Sequence, residues 1–540
     1  MNDDIWDKIE ANLDKRNKLQ VATEQTPLQK TNKINKDIEI IINITRAGTY
    51  IEPTKHITQA ITRKIQNYYT LHDKQIMGYM KHTNNWTYIK NKLYIPRFGS
   101  LFLKNKFKNI KYVNHIIPSN PINIDEYLGK FAGNQEVVFN HIMNNQFSRE
   151  NIFNGRAGLI LDLAAGEGKS YLATAIINAL KCRTVIVCHN SSILDQWVKL
   201  LTKMFPKLTI GQYYGKVKKD GDIVVGIINS LVSDNLAIKG VYNNPREFFD
   251  SFDMMIMDEV HEYCSDKRRV IYQVAQCPYM MGLSATPNER SDSLDKINHW
   301  GCGPILEAEK LEGYSTDDIP FTGRVTCVKY SGPPQWTEHL TNEKLDITSV
   351  PLMIGQFCDD PYRLSMIIEL ALEQHRKGLN VLIFADRRSY LEQIQTGMEL
   401  AKMESVMLTN DEELTEFETT AKLQSIRLVG GSSSEEFNSA KEVKNIILAT
   451  YQFFGTGCSI PKLNSVILTT PRKSKSKQFI NRIFRLGSNY DIERQIIDIV
   501  DIKTSLKSQW YTRKEYYDKK GYEIDVVKYN WKKFEKKLNN

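Results

Sequence analysis

No run of apolar residues in this chain approaches the roughly 18 that a membrane-crossing helix needs. The aliphatic runs are short, Ile40-Ile41-Ile42 and Val381-Leu382-Ile383 among them. Paired cysteines are also missing: eight stand singly at positions 182, 188, 264, 277, 302, 327, 358 and 458, with no C-x-x-C spacing. With no histidine cluster beside them, a zinc site is not expected, and buried thiols in a reducing compartment are. The opening Met1-Asn2-Asp3-Asp4 is acidic and has no apolar core behind it, which argues against a secretory signal. Glycine (29) and proline (17) are too few among 540 residues for collagen-like or low-complexity chain. What is present is ordinary globular composition, 41% hydrophobic and 25% charged, enough for about three domains with real cores.

The net charge of +9 is unevenly spread. Residues 51–120 carry twelve basic and two acidic side chains, and residues 503–540 carry eleven and five. Between them, residues 121–502 carry 41 basic against 48 acidic. A slightly acidic body thus lies between two basic regions. That distribution fits either a polyanion-binding footprint or simple solubility.

Residues 84–115 alternate apolar or aromatic with polar positions, through Trp86, Tyr88, Leu93, Ile95, Leu101 and Leu103, and the Ile38–Ile44 run is β-prone. Both predict a small β-containing module. From about residue 120, short apolar runs alternate with helical stretches: 159–163, 184–188, 222–228, 254–257 and 280–283. The pattern lapses over about 305–360 and resumes at 380–384, 425–429, 445–449 and 465–468. Strands regularly separated by helices predict parallel sheets, and the lapse predicts two of them in series.

The first such unit runs Leu161-Asp162-Leu163-Ala164-Ala165-Gly166-Glu167-Gly168-Lys169-Ser170 into a helix-prone stretch. A strand, a glycine-containing loop and a helix opening with Gly-Lys-Ser form a phosphate cradle, because backbone N–H groups converge at the helix N-terminus. Gly166 and Gly168 permit close backbone approach, Lys169 reaches the β and γ phosphates, and the Ser170 hydroxyl ligates Mg²⁺. The usual first glycine of the pattern is Leu163 here. Further on, the buried run 254–257 ends in Asp258-Glu259-Val260-His261. Asp258 is placed to hold Mg²⁺ and Glu259 to polarise an attacking water. A third apolar run ends in Ser284-Ala285-Thr286-Pro287.

In this order, each at a strand end, the three motifs resemble those of superfamily 2 helicases, which read A-x-x-G-x-G-K-S/T, D-E-x-H and S-A-T. The second half agrees. Val381–Ala385 looks like motif IV, Ala449-Thr450 through Gly455-Thr456-Gly457 like motif V, and Gln478-Phe479-Ile480-Asn481-Arg482-Ile483-Phe484-Arg485 like motif VI. Gly282–Pro287 followed by Asn288-Glu289-Arg290 is similar to the xeroderma pigmentosum B-type branch, and the chain looks most like the transcript-release helicases of poxviruses and asfarviruses. Motif VI carries Asn481 where the family prefers glycine, and motif V carries Ser459 where an aspartate is common.

The resemblance implies an α/β fold: two tandem RecA-like domains of parallel sheets preceded by the small β-containing N-terminal module. The expected division is a basic accessory module at 1–120, RecA-like domains at 121–305 and 361–510, a connecting segment at 306–360 and a basic tail at 511–540. It implies ATP hydrolysis with Mg²⁺, with Lys169, Asp258 and Glu259 on one side of a cleft and Arg482 and Arg485 as arginine fingers on the other. Gln135 would read adenine, and residues 164–170 with Gln478 would bind nucleotide. His261, Ser284, Thr286, Thr450 and Gly457 would couple hydrolysis to movement. The implied partners are nucleic acid, DNA favoured and RNA admitted, and viral transcription machinery, in a cytoplasmic viral factory or virion and without membrane attachment. The contrasting reading is a helicase-like scaffold that binds nucleic acid without turnover.

One stretch stays open between two readings. Lys90–Lys111 interleaves Lys90, Lys92, Arg97, Lys104, Lys106, Lys108 and Lys111 with Tyr94, Phe98, Phe102 and Phe107. Either the aromatics stack on bases while the cations bind phosphate, or the aromatics form the module's own core.

Overall fold

The computed structural model describes residues 39–52, 57–74, 80–104, 107, 109–163, 166–233, 244–285, 287, 294–315, 321–337, 340–342, 347–408, 423–442, 445–454, 460–472, 476–484 and 489–532. Three sheets of five or more strands organise them.

The first sheet is the N-terminal module. Its strands lie in the order Thr87–Ile89, Lys92–Ile95, Gly48–Ile51, Glu39–Thr45, Asn109–Asn114, the last pair parallel and the rest antiparallel. Lys90 and Asn91 both have positive φ (47° and 63°), which gives the two-residue hairpin between the first two strands the sense of twist its flanks require. Ile40, Ile42 and Ile44 are fully buried and pack with Ile65 and Tyr69 around the helix Gln59–Tyr68.

The second sheet has eight strands: Val217–Lys219, Ile210–Tyr214, Ile223–Ile227, Thr184–Cys188, Met254–Asp258, Tyr279–Ser284, Gly158–Asp162 and Ile305–Glu307, in that spatial order. Only the pairing of the first two is antiparallel. Residues such as Val185, Ile186, Met255 and Ile256 are wholly buried because helices cover both faces, which is why these strands read as continuous apolar runs. The third sheet has seven strands, all parallel: Ser425–Leu428, Ile446–Thr450, Val381–Ala385, Ser465–Leu468, Arg494–Asp501, Gly323–Ser331 and Glu523–Asn530.

Two segments differ from expectation. Residues 306–360, read as a connection, supply the strand Gly323–Ser331, which sits inside the third sheet and pairs on both sides. Residues 511–540, read as a tail, contribute most of the helix Ser508–Lys519 and the edge strand Glu523–Asn530. Arg513 explains the helix: its guanidinium meets both oxygens of the buried Asp498 at 2.7 and 2.8 Å, and Tyr517 donates to the same carboxylate. Sequence periodicity cannot show a pair separated by the whole helix-to-strand return.

The basic, aromatic stretch is also partly interior. Phe98 and Phe107 are 1% and 5% exposed, so these two rings are core and not stacking platforms. Arg97 is buried too. It donates from Nε to the carbonyl of Gly155 and from Nη2 to that of Pro278, both at 2.9 Å, and from Nη1 to the carbonyl of Cys277. Burial lowers its pKa to about 10. Arg46 makes a parallel contact, donating to the Phe252 carbonyl at 2.9 Å and pairing with Asp253 at 3.3 Å. Both arginines therefore fasten the first sheet to the ends where strands of the second begin. Lys90, Lys104 and Lys111 stay exposed, while Lys106, Lys108 and the Phe102 side chain lie outside the described residues.

Removing the Arg97 guanidinium strands three carbonyls in a buried junction. Arg97→Ala is expected to cost about 3–5 kcal/mol, read as a lower urea midpoint, because each buried unsatisfied acceptor costs about 1–3 kcal/mol. An unchanged midpoint would show that the junction is not held through this side chain.

Candidate nucleotide site

Parallel register gathers the first three motifs. Asp258 pairs with Leu283, and Ser284 pairs with Asp162, so three neighbouring strands end level with one another. Open parallel sheets form their sites at such carboxyl ends. The phosphate loop follows Asp162, the acidic pair ends the strand two places away, and Ser284 lies between.

At the loop, Gly166 and Gly168 adopt φ of 96° and 79°, a region that glycine enters without penalty. Gly168 is doubly constrained, since a Cβ there would stand 2.2 Å from Gln135 Nε2. Gln135 is buried. Its amide donates to the Glu167 carbonyl at 3.1 Å, while its Oε1 accepts from the Ala132 amide at 3.1 Å. Gln135 thus ties its own helix to the loop. Lys169 Nζ bonds the Leu163 carbonyl at 2.8 Å, spanning the loop's mouth, and Ser170 follows in the first turn of the helix Lys169–Leu180. The Tyr314 hydroxyl donates to Glu167 Oε2.

Asp258 is held by two donors: Trp197 Nε1 at 2.8 Å on Oδ2, and the Glu259 amide at 3.0 Å on Oδ1. Burial nevertheless raises its pKa to about 6, and the neighbouring Glu259 charge adds to the rise. Lys169 offsets only part of that rise, so the carboxylate still calls for more positive charge. A divalent cation held by Asp258 and the Ser170 hydroxyl would supply it, and hard oxygen donors of this kind suit Mg²⁺. Among the described residues no group of three or more His, Cys, Asp or Glu side chains is arranged to hold a metal.

Glu259 is different. Burial would raise its pKa, but His261, Lys169, Arg482 and His189 outweigh burial and hold it below the usual value, hence ionised. Its backbone is left-handed at φ 49°, a conformation costing a non-glycine residue about 1–3 kcal/mol. Its Oε2 has no hydrogen-bond partner among the described residues, although His261 Nδ1 stands 3.5 Å away. A charged carboxylate oxygen held beside a phosphate loop can orient and deprotonate a water.

The two sheets meet here. His261 Nδ1 lies 3.1 Å from Ser284 Oγ, and its Nε2 lies 3.4 Å from the amide nitrogen of Gln478, which belongs to the second α/β unit. Arg482, one turn beyond Gln478, is buried and exerts its charge on Glu259. Asn481, the departure from glycine, is not among the residues of positive φ, and its Oδ1 accepts from the Tyr516 hydroxyl at 2.6 Å. The position therefore needs no glycine. Thr450 makes a local contact, accepting from the Phe453 amide at 3.4 Å. Ala164, Ala165, Thr286, Gly457, Ser459 and Arg485 lie outside the described residues. Sequence reasoning missed Trp197, Tyr314 and Tyr516, because single aromatic residues on helices and loops carry no motif.

A strand-end phosphate loop, an acidic pair and a second parallel sheet closing on them define a two-part nucleotide hydrolase. Residues 130–289 match the family model "Type III restriction enzyme, res subunit". Among curated proteins, the chain is 29% identical over 386 residues to QP509L of African swine fever virus (isolate Warthog/Namibia/Wart80/1980), named an ATP-dependent RNA helicase; 67% of this chain and 68% of that one are covered. It is 27% identical over 478 residues to L396 of Acanthamoeba polyphaga mimivirus, of the same description, covering 88% and 82%. The DNA 3'-5' translocase XPB2 of Sulfurisphaera tokodaii is 23% identical over 355 residues, covering 63% and 77%. The chain thus carries a domain of that family over residues 130–289, is similar to proteins named as ATP-dependent helicases and a DNA translocase, and is an ATP hydrolase.

The raised Asp258 pKa fixes a sign. An acid that titrates higher in the folded state withdraws stability as pH rises from about 4 to about 6, and the loss persists above. Asp258→Asn is therefore expected to stabilise the metal-free protein at pH 7.5 by up to about 3 kcal/mol while eliminating Mg²⁺-dependent turnover. Thermal melts at pH 4 and 7.5 check this, and a mutant that gains nothing at the higher pH would contradict the assignment.

Proposed function

We propose that the chain is an ATP-driven motor on nucleic acid whose two α/β units, built on the eight-stranded and the seven-stranded sheets, close on the nucleotide in each cycle. The observation that carries this reading is the position of Glu259 in the fields of Lys169 from its own unit and Arg482 from the other. Hydrolytic competence then depends on how the two units sit together.

In this reading the residues 164–170 cradle the phosphates of ATP, with Lys169 on the β and γ groups. Mg²⁺, held by Ser170 and Asp258, neutralises phosphate charge when bound. Glu259 takes a proton from the attacking water, and Arg482 stabilises charge on the transferring phosphoryl group; Arg485 would assist. Gln135 braces the loop, and in this reading it also reads the base. The contact from Ser284 through His261 to Gln478 passes changes at the γ-phosphate to the second unit, with Thr286, Thr450 and Gly457 as further coupling residues.

Duplex DNA is the stimulator we favour, following the resemblance to transcription- and repair-linked motors. The viral relatives carry names that make RNA the contrasting track. A part in viral transcription, with that machinery as partner, rests on the same resemblance. No described helix is long and apolar enough to cross a membrane.

ATPase rates titrated against single- and double-stranded DNA and RNA of matched length test the reading. Glu259→Gln is expected to bind ATP but lose about 10²-fold or more in turnover, since a carboxamide cannot accept the proton. Arg482→Lys is expected to lose at least about tenfold with little change in ATP affinity, because lysine lacks the planar fork. Normal hydrolysis in both variants would overturn the roles given to Glu259 and Arg482, rates indifferent to every polynucleotide would overturn the motor reading, and a wild type that binds nucleic acid without hydrolysing ATP would favour the scaffold.

A further inference from the structure

Far from the phosphate loop, a cavity of about 490 Å³ opens between the N-terminal sheet and the second sheet's domain. Its lining includes the rings of Trp86, Tyr94 and Trp300, with Arg246 and Arg269 also on its wall. Two of its lining side chains are nearly sealed from solvent yet incompletely bonded. Thr49 is 2% exposed and Gln276 6% exposed, and among the described residues neither Thr49 Oγ1 nor Gln276 Oε1 has a hydrogen-bond partner. The Gln276 orientation is fixed, because its Nε2 donates to the Tyr272 carbonyl at 2.8 Å. Oε1 is therefore an acceptor waiting for a donor.

Leaving such groups unbonded in a core costs stability, so their pairing in a cavity calls for a ligand or an ordered water. The chemistry narrows the choice. Aromatic walls favour a flat ring, Gln276 Oε1 demands an N–H on its edge, and the Thr49 hydroxyl can donate or accept. Among the described residues Arg269 Nη1 has no hydrogen-bond partner, while its Nη2 meets the partly exposed Asp266 at 3.0 Å; Arg246 donates to the Gln273 carbonyl at 3.3 Å and acts on Asp250. Both are placed to meet an anion at the rim. A flat ring with an edge donor and an attached anion is a nucleotide.

We propose that this cavity receives one everted base of a nucleic-acid strand, with Arg246 and Arg269 on its phosphate. The inference rests on the nucleic-acid motor reading and adds a place where the strand is gripped outside the two-unit core. It also revises the stacking expectation for the N-terminal module: the rings that meet a base are Trp86 and Tyr94, not Phe98 and Phe107. Aromatic pockets hold unstacked bases with little regard to sequence, which suits a motor that must pass along any strand.

The full chain is tested with a single-stranded 12-mer of uridines and with a 12-mer of the same backbone lacking bases. Wild type is expected to bind the base-bearing strand at least tenfold more tightly. Thr49→Val and Gln276→Leu should reduce that preference at least threefold each, leaving affinity for the base-free strand and strand-independent ATPase unchanged. Photocrosslinking of wild type to a 12-mer carrying 5-iodouracil, read by mass spectrometry, is independent of any variant's folding and should label the Trp86 or Tyr94 peptide. The proposal is overturned if both variants keep the full preference, if crosslinks fall only on the two motor units, or if free uridine monophosphate competes as well as the strand does. Binding to neither 12-mer also overturns the proposal, whereas an ATPase indifferent to every polynucleotide would instead bring down the motor reading on which it rests.

Discussion

Two adjacent carboxylates at the end of one buried strand must behave oppositely, and much of the site is arranged around that demand. Asp258 and Glu259 share a low-dielectric setting in which like charges repel, so one of them rises in pKa. Asp258 does so, pushed to about 6 by burial first and its neighbour second, with Lys169 offsetting only part of the rise. Glu259 is kept ionised by His261, Lys169, Arg482 and His189. Those four groups come from the neighbouring turn, the phosphate loop, the other α/β unit and the end of an adjacent strand. Moving any one of them changes the basicity of Glu259, the group proposed to handle water. A nucleotide cycle can thus be gated by the relative position of two rigid units without rebuilding either one.

The surrounding structure serves that placement from both ends of the strands. At the carboxyl ends, level register sets Ser284 beside His261 and lets Gln478 reach across. At the opposite ends, Arg46 and Arg97 anchor the N-terminal sheet through backbone carbonyls and Asp253. The second α/β unit has its own internal fastenings: Arg363 pairs with Asp501, and Arg513 with Asp498. These buried pairs sit on the strand Arg494–Asp501, next to the segment that carries Gln478 and Arg482. A further pair of contacts, Lys519 and Lys520 on Glu309 at 3.1 and 2.7 Å, links the C-terminal helix to the chain leaving the second sheet. Two of the basic residues at the C-terminal end, Lys519 and Lys520, therefore tie the two halves together.

The sequence by itself determined the parallel α/β class, the order of the units and the phosphate loop with its acidic partner. It could do so because buried parallel strands leave continuous apolar runs, and because a phosphate cradle needs glycine and lysine at fixed spacing. The strand Gly323–Ser331 and the C-terminal helix and strand were not legible, since their place depends on partners far along the chain such as Asp498. The aromatic alternation at 84–115 marked a sheet but left open which faces were core. Tertiary packing decided that Phe98 and Phe107 are buried while Trp86 and Tyr94 line a cavity. Glu259's ionisation and the unbonded Gln276 Oε1 were likewise decided only in the fold. A pKa and an unmet hydrogen bond are properties of everything within a few ångströms, and sequence spacing does not record distance.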